Sequence, residues 1–117
     1  MAYTYRKQAE APVIRTICGE SARIVTWQDT DVASLHVVRI LDSERHVHRA
    51  TTEVYYILEG AGKMELRGEV LDVAPGDTIL IEPGTPHRAW GDLTTIVFGV
   101  PSWNPDDQFP APETDAG

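Results

Sequence analysis

Short apolar runs separated by turn-forming residues constrain this chain more than any other feature of its sequence. The runs that read as candidate strands cover residues 23–27, 34–41, 53–58, 62–66, 70–73, 78–81, 87–90 and 94–100. Their short and fairly even spacing favours an all-β sandwich or barrel over alternating strands and helices. No window shows the apolar periodicity of a full helix, and residues 3–10 alone suggest one helical turn.

Glycine and proline mark the connections between these runs. Residues 67–69 read as a hairpin loop, and residues 74–77 read as a turn in which proline fixes φ and glycine adds freedom. Residues 83–86 contain two prolines, which cannot take part in continuous strand pairing. We also expect a turn at residues 91–92.

The length of 117 residues suits a single domain. We expect three segments. Residues 1–22 form an N-terminal arm that pairs with the barrel or with a partner subunit, and residues 23–100 form the barrel. Residues 101–117 form a proline-rich acidic tail without Lys or Arg, and we expect its end to be disordered.

Charge and cysteine content exclude several classes of function. With 18 acidic and 10 basic residues the formal charge is −8, which argues against binding to nucleic acid or to an anionic membrane surface. No stretch approaches membrane-spanning length, and the N-terminus lacks a signal-like apolar run, so we expect a cytoplasmic protein. The single Cys18 excludes an internal disulfide and a paired-cysteine metal site.

The spacing of three histidines and one glutamate predicts a metal site. His46 and His48 are two residues apart, so on a strand both imidazoles lie on one face. Glu53 follows, and His87 lies where a proline-rich loop meets the next strand. A barrel brings distant strands to one interior, and three imidazoles with one carboxylate suit a divalent metal ion.

These residues belong to two motifs that resemble those of the cupin superfamily. His46-x-His48, four residues, Glu53, six residues and Gly60 match the first motif, and residues 75–77 followed by 83–87 resemble the second. The chain departs from the family pattern at Ile40, Glu82 and Gly91, none of which is a ligand in the family.

The resemblance implies a small antiparallel jelly-roll β-barrel holding one divalent ion (Fe, Mn, Ni or Zn) per chain. The implied ligands are His46, His48, Glu53 and His87, and the implied assembly is a homodimer.

Strand alternation adds candidates for the cavity wall. If Glu53 faces the metal, Tyr55 and Ile57 share its face. We also expect Trp90 and His36 at the wall. The opposite face of the same strand is apolar as well, so we expect a second sheet layer or another subunit to cover it.

No residue outside the ligand set stands out as a catalytic acid or base. Tyr55, His36 and Glu82 are the candidates, on their position in the pattern alone.

Four ligands leave two open positions on an octahedral ion, where a small molecule can bind. We therefore expect a small metal-dependent enzyme that acts on a small oxygen-rich molecule. We rank a dioxygenase-type oxidoreductase ahead of a sugar isomerase, lyase or cyclase. The alternative is a non-catalytic module that binds a sugar or small acid and uses the metal for structure.

Overall fold

The computed structural model describes residues 2–112 and shows an all-β protein. Its strands are β1 (Val13–Thr16), β2 (Gly19–Val25), β3 (Ser34–Asp42), β4 (His46–Val47), β5 (Thr52–Leu66), β6 (Glu69–Val73), β7 (Thr78–Ile81), β8 (His87–Val100) and β9 (Phe109–Pro110). Two 3-10 turns, Gln8–Glu10 and Pro105–Asp107, are the helical elements of the described residues. Every strand pair is antiparallel, and the expected jelly-roll fold is confirmed.

The long strand β8 organises the sheet. It pairs with β3 and β4 along one edge and with β5 along the other. On its far edge, β5 pairs first with β7 and then with β6. Every second residue of β8 from His87 to Gly99 is buried, except at Gly91. This alternation places one face of the curled sheet inside the barrel.

Glycines allow β5 and β8 to run on where the sequence suggested breaks. The turn expected at residues 91–92 is wrong, because these residues lie within β8 and pair with Ala61 and Gly62 of β5. Gly91 has φ +120°, and a Cβ atom there would lie 2.7 Å from the backbone oxygen of Ala61. Glycine in a strand marks a close backbone approach or a corner, and here it permits both without ending the strand.

Both ends of the chain join the sheet. Within the segment expected to be an arm, residues 13–22 form β1 and most of β2, and the helical turn falls at Gln8–Glu10. In the tail, β9 pairs with β4, opposite His46 and Val47. The end of the tail, residues 113–117, lies outside the described residues.

The barrel interior contains one apolar cluster that includes Ile40, Ile57, Met64 and Leu93, each at most 1% exposed. The outer face of the sheet is different, because apolar side chains there stay open within the single chain. They include Tyr56, Leu58, Leu80, Phe98 and Val100, all between 39% and 61% exposed. Among residues 2–112, no helix has the length and apolar character needed to cross a membrane.

Candidate metal centre and cavity

The four predicted metal ligands meet inside the barrel. His46 comes from β4, Glu53 from β5 and His87 from the first residue of β8, while His48 follows β4 directly. All four are at least 95% buried, and one possible ligand atom from each lies within 4.8 Å of the other three. Atoms bound to one ion at about 2 Å lie within roughly 4 Å of one another, so a small inward shift would complete such a site.

Backbone carbonyl groups fix the orientation of the three imidazoles. The Nδ1 atom of His46 lies 2.7 Å from the oxygen of Glu44, and that of His87 lies 2.9 Å from the oxygen of Thr85. The Nδ1 atom of His48 lies 2.7 Å from the oxygen of Asp107. A carbonyl oxygen only accepts, so each Nδ1 carries the proton and donates it. A neutral ring then presents a bare lone pair at Nε2.

Lone pairs therefore face one another at the centre of the site. Oε1 of Glu53 lies 2.9 Å from Nε2 of His48 and 3.3 Å from Nε2 of His87. With neutral imidazoles these contacts join acceptor to acceptor, and all three atoms are buried without a hydrogen-bond donor in the described chain. Either an added proton or a cation must lie between them. A divalent ion satisfies the whole set at once, so these residues fit a metal.

The pKa shifts of these residues agree with a carboxylate held close to the imidazoles. Burial alone would raise the pKa of Glu53, but His48 and His87 hold it well below its usual range. Burial alone would lower the pKa of His48, but the neighbouring carboxylate outweighs burial and raises it. For His46, burial together with the nearby His87 lowers the pKa to about 4, which keeps that imidazole neutral.

A small cavity of about 30 Å³ adjoins the metal ligands. His48 and Glu53 form part of its wall, and the predicted residues Tyr55 and His36 line it too. Burial and the charge of Glu53 raise the pKa of Tyr55 well above its usual value, so the phenol stays protonated. Cys18 also lines the cavity, with its Sγ atom 3.7 Å from Nε2 of His46, and burial raises the pKa of its thiol to about 12.

The C-terminal segment closes part of this cavity, a role that the sequence did not reveal. Trp103 and Gln108 line the wall, and the backbone N–H of Trp103 donates to Oγ of Ser34 over 2.9 Å. The Asp107 carboxylate accepts from the backbone N–H groups of residues 49–51, directly after His48. The tail thus holds the loop that carries one ligand.

Two of the predicted cavity residues, Ile57 and Trp90, and the catalytic candidate Glu82 lie elsewhere. Ile57 is fully buried in the apolar cluster and does not line the cavity. Trp90 is an odd number of residues from His87, so alternation turns it to the outer face, where Arg88 stacks on it. Glu82 follows the inward-facing Ile81 and is exposed in the loop after β7, so it is not brought to the site.

Sequence reasoning also missed Ser21 and Arg23 of β2, which line the cavity. They alternate with Ala22 and Ile24 along the strand. That pattern is typical of a strand with a solvent-exposed polar face, so the sequence offered no signal that these two side chains point inward.

A family model for the cupin domain matches residues 40–94, a segment that contains all four candidate ligands. Together with the fold and both motifs, this match shows a cupin domain at residues 40–94. An uncharacterized protein of Methanocaldococcus jannaschii is 54% identical over 43 residues, which are 37% of this chain and 34% of that protein. The match thus spans about a third of that relative's length.

Solved structures extend the similarity to nearly the whole chain. A protein from Planctomyces limnophilus has a TM-score of 0.86 and 25% identity, over 92% of this chain and 96% of that one. Pac13 from Streptomyces, described as a unique nucleoside dehydratase, has a TM-score of 0.81 and 18% identity, over 98% and 95% of the two chains. At such identity, the likeness to Pac13 concerns the fold alone.

Proposed function

We propose that this protein is a metal-dependent enzyme that acts on a small oxygen-rich molecule within the barrel. His46, His48, Glu53 and His87 would hold one divalent ion per chain. The observation that carries this proposal is the buried set of lone pairs at Nε2 of His48, Nε2 of His87 and Oε1 of Glu53, which find no donor in the described chain. The ion, when bound, would polarise a carbonyl or hydroxyl oxygen of the substrate.

Several of the chain's own residues around the cavity are uncharged groups that can hydrogen-bond to a bound molecule. Tyr55 and Cys18 keep their protons, because burial and the charge of Glu53 disfavour the anionic form of each. His36 is a neutral imidazole, since burial and Arg23 lower its pKa to about 4. Tyr55, with its ring centroid 6.1 Å from that of His87, is the candidate for a general acid beside the metal ligands.

The hydroxyl, thiol and imidazole groups that line the cavity favour dehydration, isomerisation or cyclisation. These reactions move protons and need no oxidant. The order differs from that drawn from the sequence, where a dioxygenase ranked ahead of an isomerase, lyase or cyclase. The reason is the set of hydroxyl, thiol and imidazole groups on the cavity wall, from Thr16, Cys18, Ser21, His36 and Tyr55. A dioxygenase remains the second candidate, because four ligands leave two open positions on an octahedral ion.

Metal content and oxygen use test the proposal together. Purified protein should bind one Fe(II), Mn(II), Ni(II) or Zn(II) ion per chain, measured by inductively coupled plasma mass spectrometry. Metal-loaded protein should convert a member of a panel of small sugars and hydroxy acids under argon, followed by liquid chromatography and mass spectrometry. Conversion that stops without air would support the dioxygenase. Failure to take up any of the four metals would contradict the proposal.

The alternative is a binding module that does not catalyse. The small cavity, closed on one side by Trp103 and Gln108, favours this reading, because it suits retention of a ligand. A ligand recovered unchanged after long incubation with metal-loaded protein would support it. A Tyr55→Phe variant separates the two, since it should lower the turnover of an enzyme while leaving metal content unchanged.

We also propose a homodimer formed through the open apolar face of the sheet. Leu80 of β7 and Phe98 of β8 are 61% and 39% exposed, and both lie opposite Val54 of β5. Apolar side chains so placed are buried when a second copy packs on them. Light scattering on a size-exclusion column should give the mass of two chains, and of one chain for Leu80→Lys. A monomeric wild-type protein would contradict this.

A further inference from the structure

A second group of polar atoms faces the cavity beside the metal ligands. Oγ of Ser21, Nε of Arg23 and Nε2 of His36 are buried without a hydrogen-bond partner in the described chain. Ser21 is 2% exposed and His36 is 7% exposed, so bulk water does not readily reach these atoms. Buried polar groups usually find partners, and a set that shares one cavity points to a bound molecule that supplies them.

Strand pairing brings these side chains together. Arg23 of β2 lies directly opposite His36 of β3, and Ser21 shares the strand face of Arg23. Trp103 covers the pair, with its ring 4.6 Å from the guanidinium carbon of Arg23 and 5.8 Å from the imidazole of His36. The stacked indole ring of Trp103 holds the guanidinium plane of Arg23 in place. This contact uses the face of the guanidinium, so its N–H groups remain free to donate to a ligand.

The balance of charge identifies the kind of molecule. Among the side chains that line the cavity, Arg23 and Glu53 are the two that carry a formal charge. Glu53 faces the imidazoles of His48 and His87. Arg23 has no acidic partner within residues 2–112 and is therefore the uncompensated charge of the cavity. An otherwise acidic chain thus encloses a site that favours an anion.

We infer that the molecule bound by this protein is a small carboxylic acid, whose carboxylate binds Arg23 and Ser21 beside His36 while a hydroxyl or carbonyl oxygen faces the three clustered imidazoles. Arginine donates two parallel hydrogen bonds to a carboxylate, and the serine hydroxyl adds a third donor. The inference deepens the proposed function and rests on it for the role of the imidazoles.

Calorimetric titration tests this inference without any measurement of activity. Glycolate and pyruvate are the probes, each compared with its methyl ester, which lacks the charge but keeps the second oxygen. Metal-loaded wild-type protein should bind at least one of the two acids roughly tenfold or more tightly than its ester. Arg23→Gln should weaken binding of that acid by about tenfold or more, because a charge-assisted hydrogen bond is lost.

Matched variants separate recognition from folding. Arg39→Gln is the control, because its guanidinium is 57% exposed on the outer face, where it pairs with Asp92, and binding should not change. Ser21→Ala should weaken binding less than Arg23→Gln, and Arg23→Lys should restore part of the lost affinity. Each variant is also assayed for metal content and melting temperature, so that a misfolded protein is recognised.

The possible outcomes distinguish this inference from the proposed function. If the wild-type protein takes up metal but binds neither acid, or if Arg23→Gln binds as tightly as the wild type, the carboxylate site is refuted and the metal-dependent function stands. Equal affinity for acid and ester refutes it too. If no metal is taken up, the proposed function fails, and binding of the acids that depends on Arg23 would still support the anion site.

Discussion

The imidazole of His48 donates from Nδ1 to the backbone oxygen of Asp107 over 2.7 Å, which ties a candidate metal ligand to the C-terminal segment. The two residues are 59 positions apart in the chain. The segment that carries Asp107 continues into β9, which pairs with β4 beside His46. Order in the tail and orientation of the ligands are therefore linked.

Loss of the Asp107 carboxylate should loosen this link. Asp107→Asn exchanges a charged acceptor of the N–H groups of Arg49, Ala50 and Thr51 for an amide. We expect the free energy of unfolding to fall by about 1–3 kcal/mol, measured by urea titration. Asp106→Asn is the matched control, because that neighbouring side chain is exposed, and it should change little.

The effect of Asp107→Asn should depend on pH. Burial alone would raise the pKa of Asp107, but the three backbone donors outweigh burial and lower it. A carboxyl group with a lowered pKa in the folded state stabilises above its unfolded pKa of about 3.9, and this contribution is lost as pH falls through the folded value. The difference between wild type and variant should therefore shrink in acid. A constant difference down to the lowest pH would contradict this.

Substitution of single histidines should show which of the four bind the metal ion. His48→Ala removes a converging Nε2 atom, and we expect metal affinity to fall by more than the roughly 10–100-fold typical for loss of a group that only orients a ligand. His36→Ala should retain one ion per chain, because His36 is not part of the cluster of ligand atoms. Metal content is measured by mass spectrometry after dialysis.

Chelation gives a second readout of the same site. Removal of the ion from wild-type protein with EDTA should lower the melting temperature, and removal from His36→Ala should do the same. His48→Ala should show no such response. Equal metal content in His36→Ala and His48→Ala would show that the assignment of ligands is wrong.

His36 should make the protein less stable in mild acid. Burial and the charge of Arg23 lower its pKa from 6.5 to about 4, so between these values the unfolded state binds a proton that the folded state refuses. Stability is therefore lost as pH falls through this range, by up to about 3 kcal/mol.

His36→Gln removes this titration. Urea unfolding at several pH values from 7 to 4 should give a flatter profile for His36→Gln than for wild type. His46 titrates in the same way in both proteins, so it cancels in the comparison. Parallel profiles would contradict the buried neutral state of His36.

Two glycines test the close approach of β5 and β8. Gly60 and Gly68 both have positive φ, +87° and +89°, so alanine is strained at either position. At Gly60 an added Cβ would also collide with the backbone oxygen of Asp92, whereas at Gly68 nothing lies within 4 Å. We expect Gly68→Ala to cost about 1–2 kcal/mol and Gly60→Ala about 1–3 kcal/mol more, measured by thermal unfolding. Equal costs would contradict the clash.

Local patterns in the sequence were enough to predict the fold class and the clustering of the four candidate metal ligands. The apolar runs predicted the strands, because alternation along a strand needs no knowledge of its neighbours. The spacing of His46, His48 and Glu53 and the proline-rich loop before His87 predicted the cluster for a similar reason. Side chains two residues apart share a face wherever the strand lies, and a barrel has a single interior.

Long-range contacts limited the rest of the prediction. The sequence indicated a break at Gly91, because glycine favours turns, while pairing with Gly62 makes it part of a continuous strand. Trp90 was expected at the cavity from its distance to His87, yet strict alternation along β8 turns it outward. Neither outcome is visible without knowing that β8 is one strand paired on both edges.

The sequence by itself determined an all-β chain that contains a cupin domain, with three histidines and one glutamate on a shared interior face. The tertiary structure alone decided which other groups join them. Arg23 and Ser21 from β2, and Trp103, Asp107 and Gln108 from the tail, reach the cavity or its ligands through contacts between residues far apart in the chain. Sequence periodicity reports the face on which a side chain lies, but not the element that packs against it.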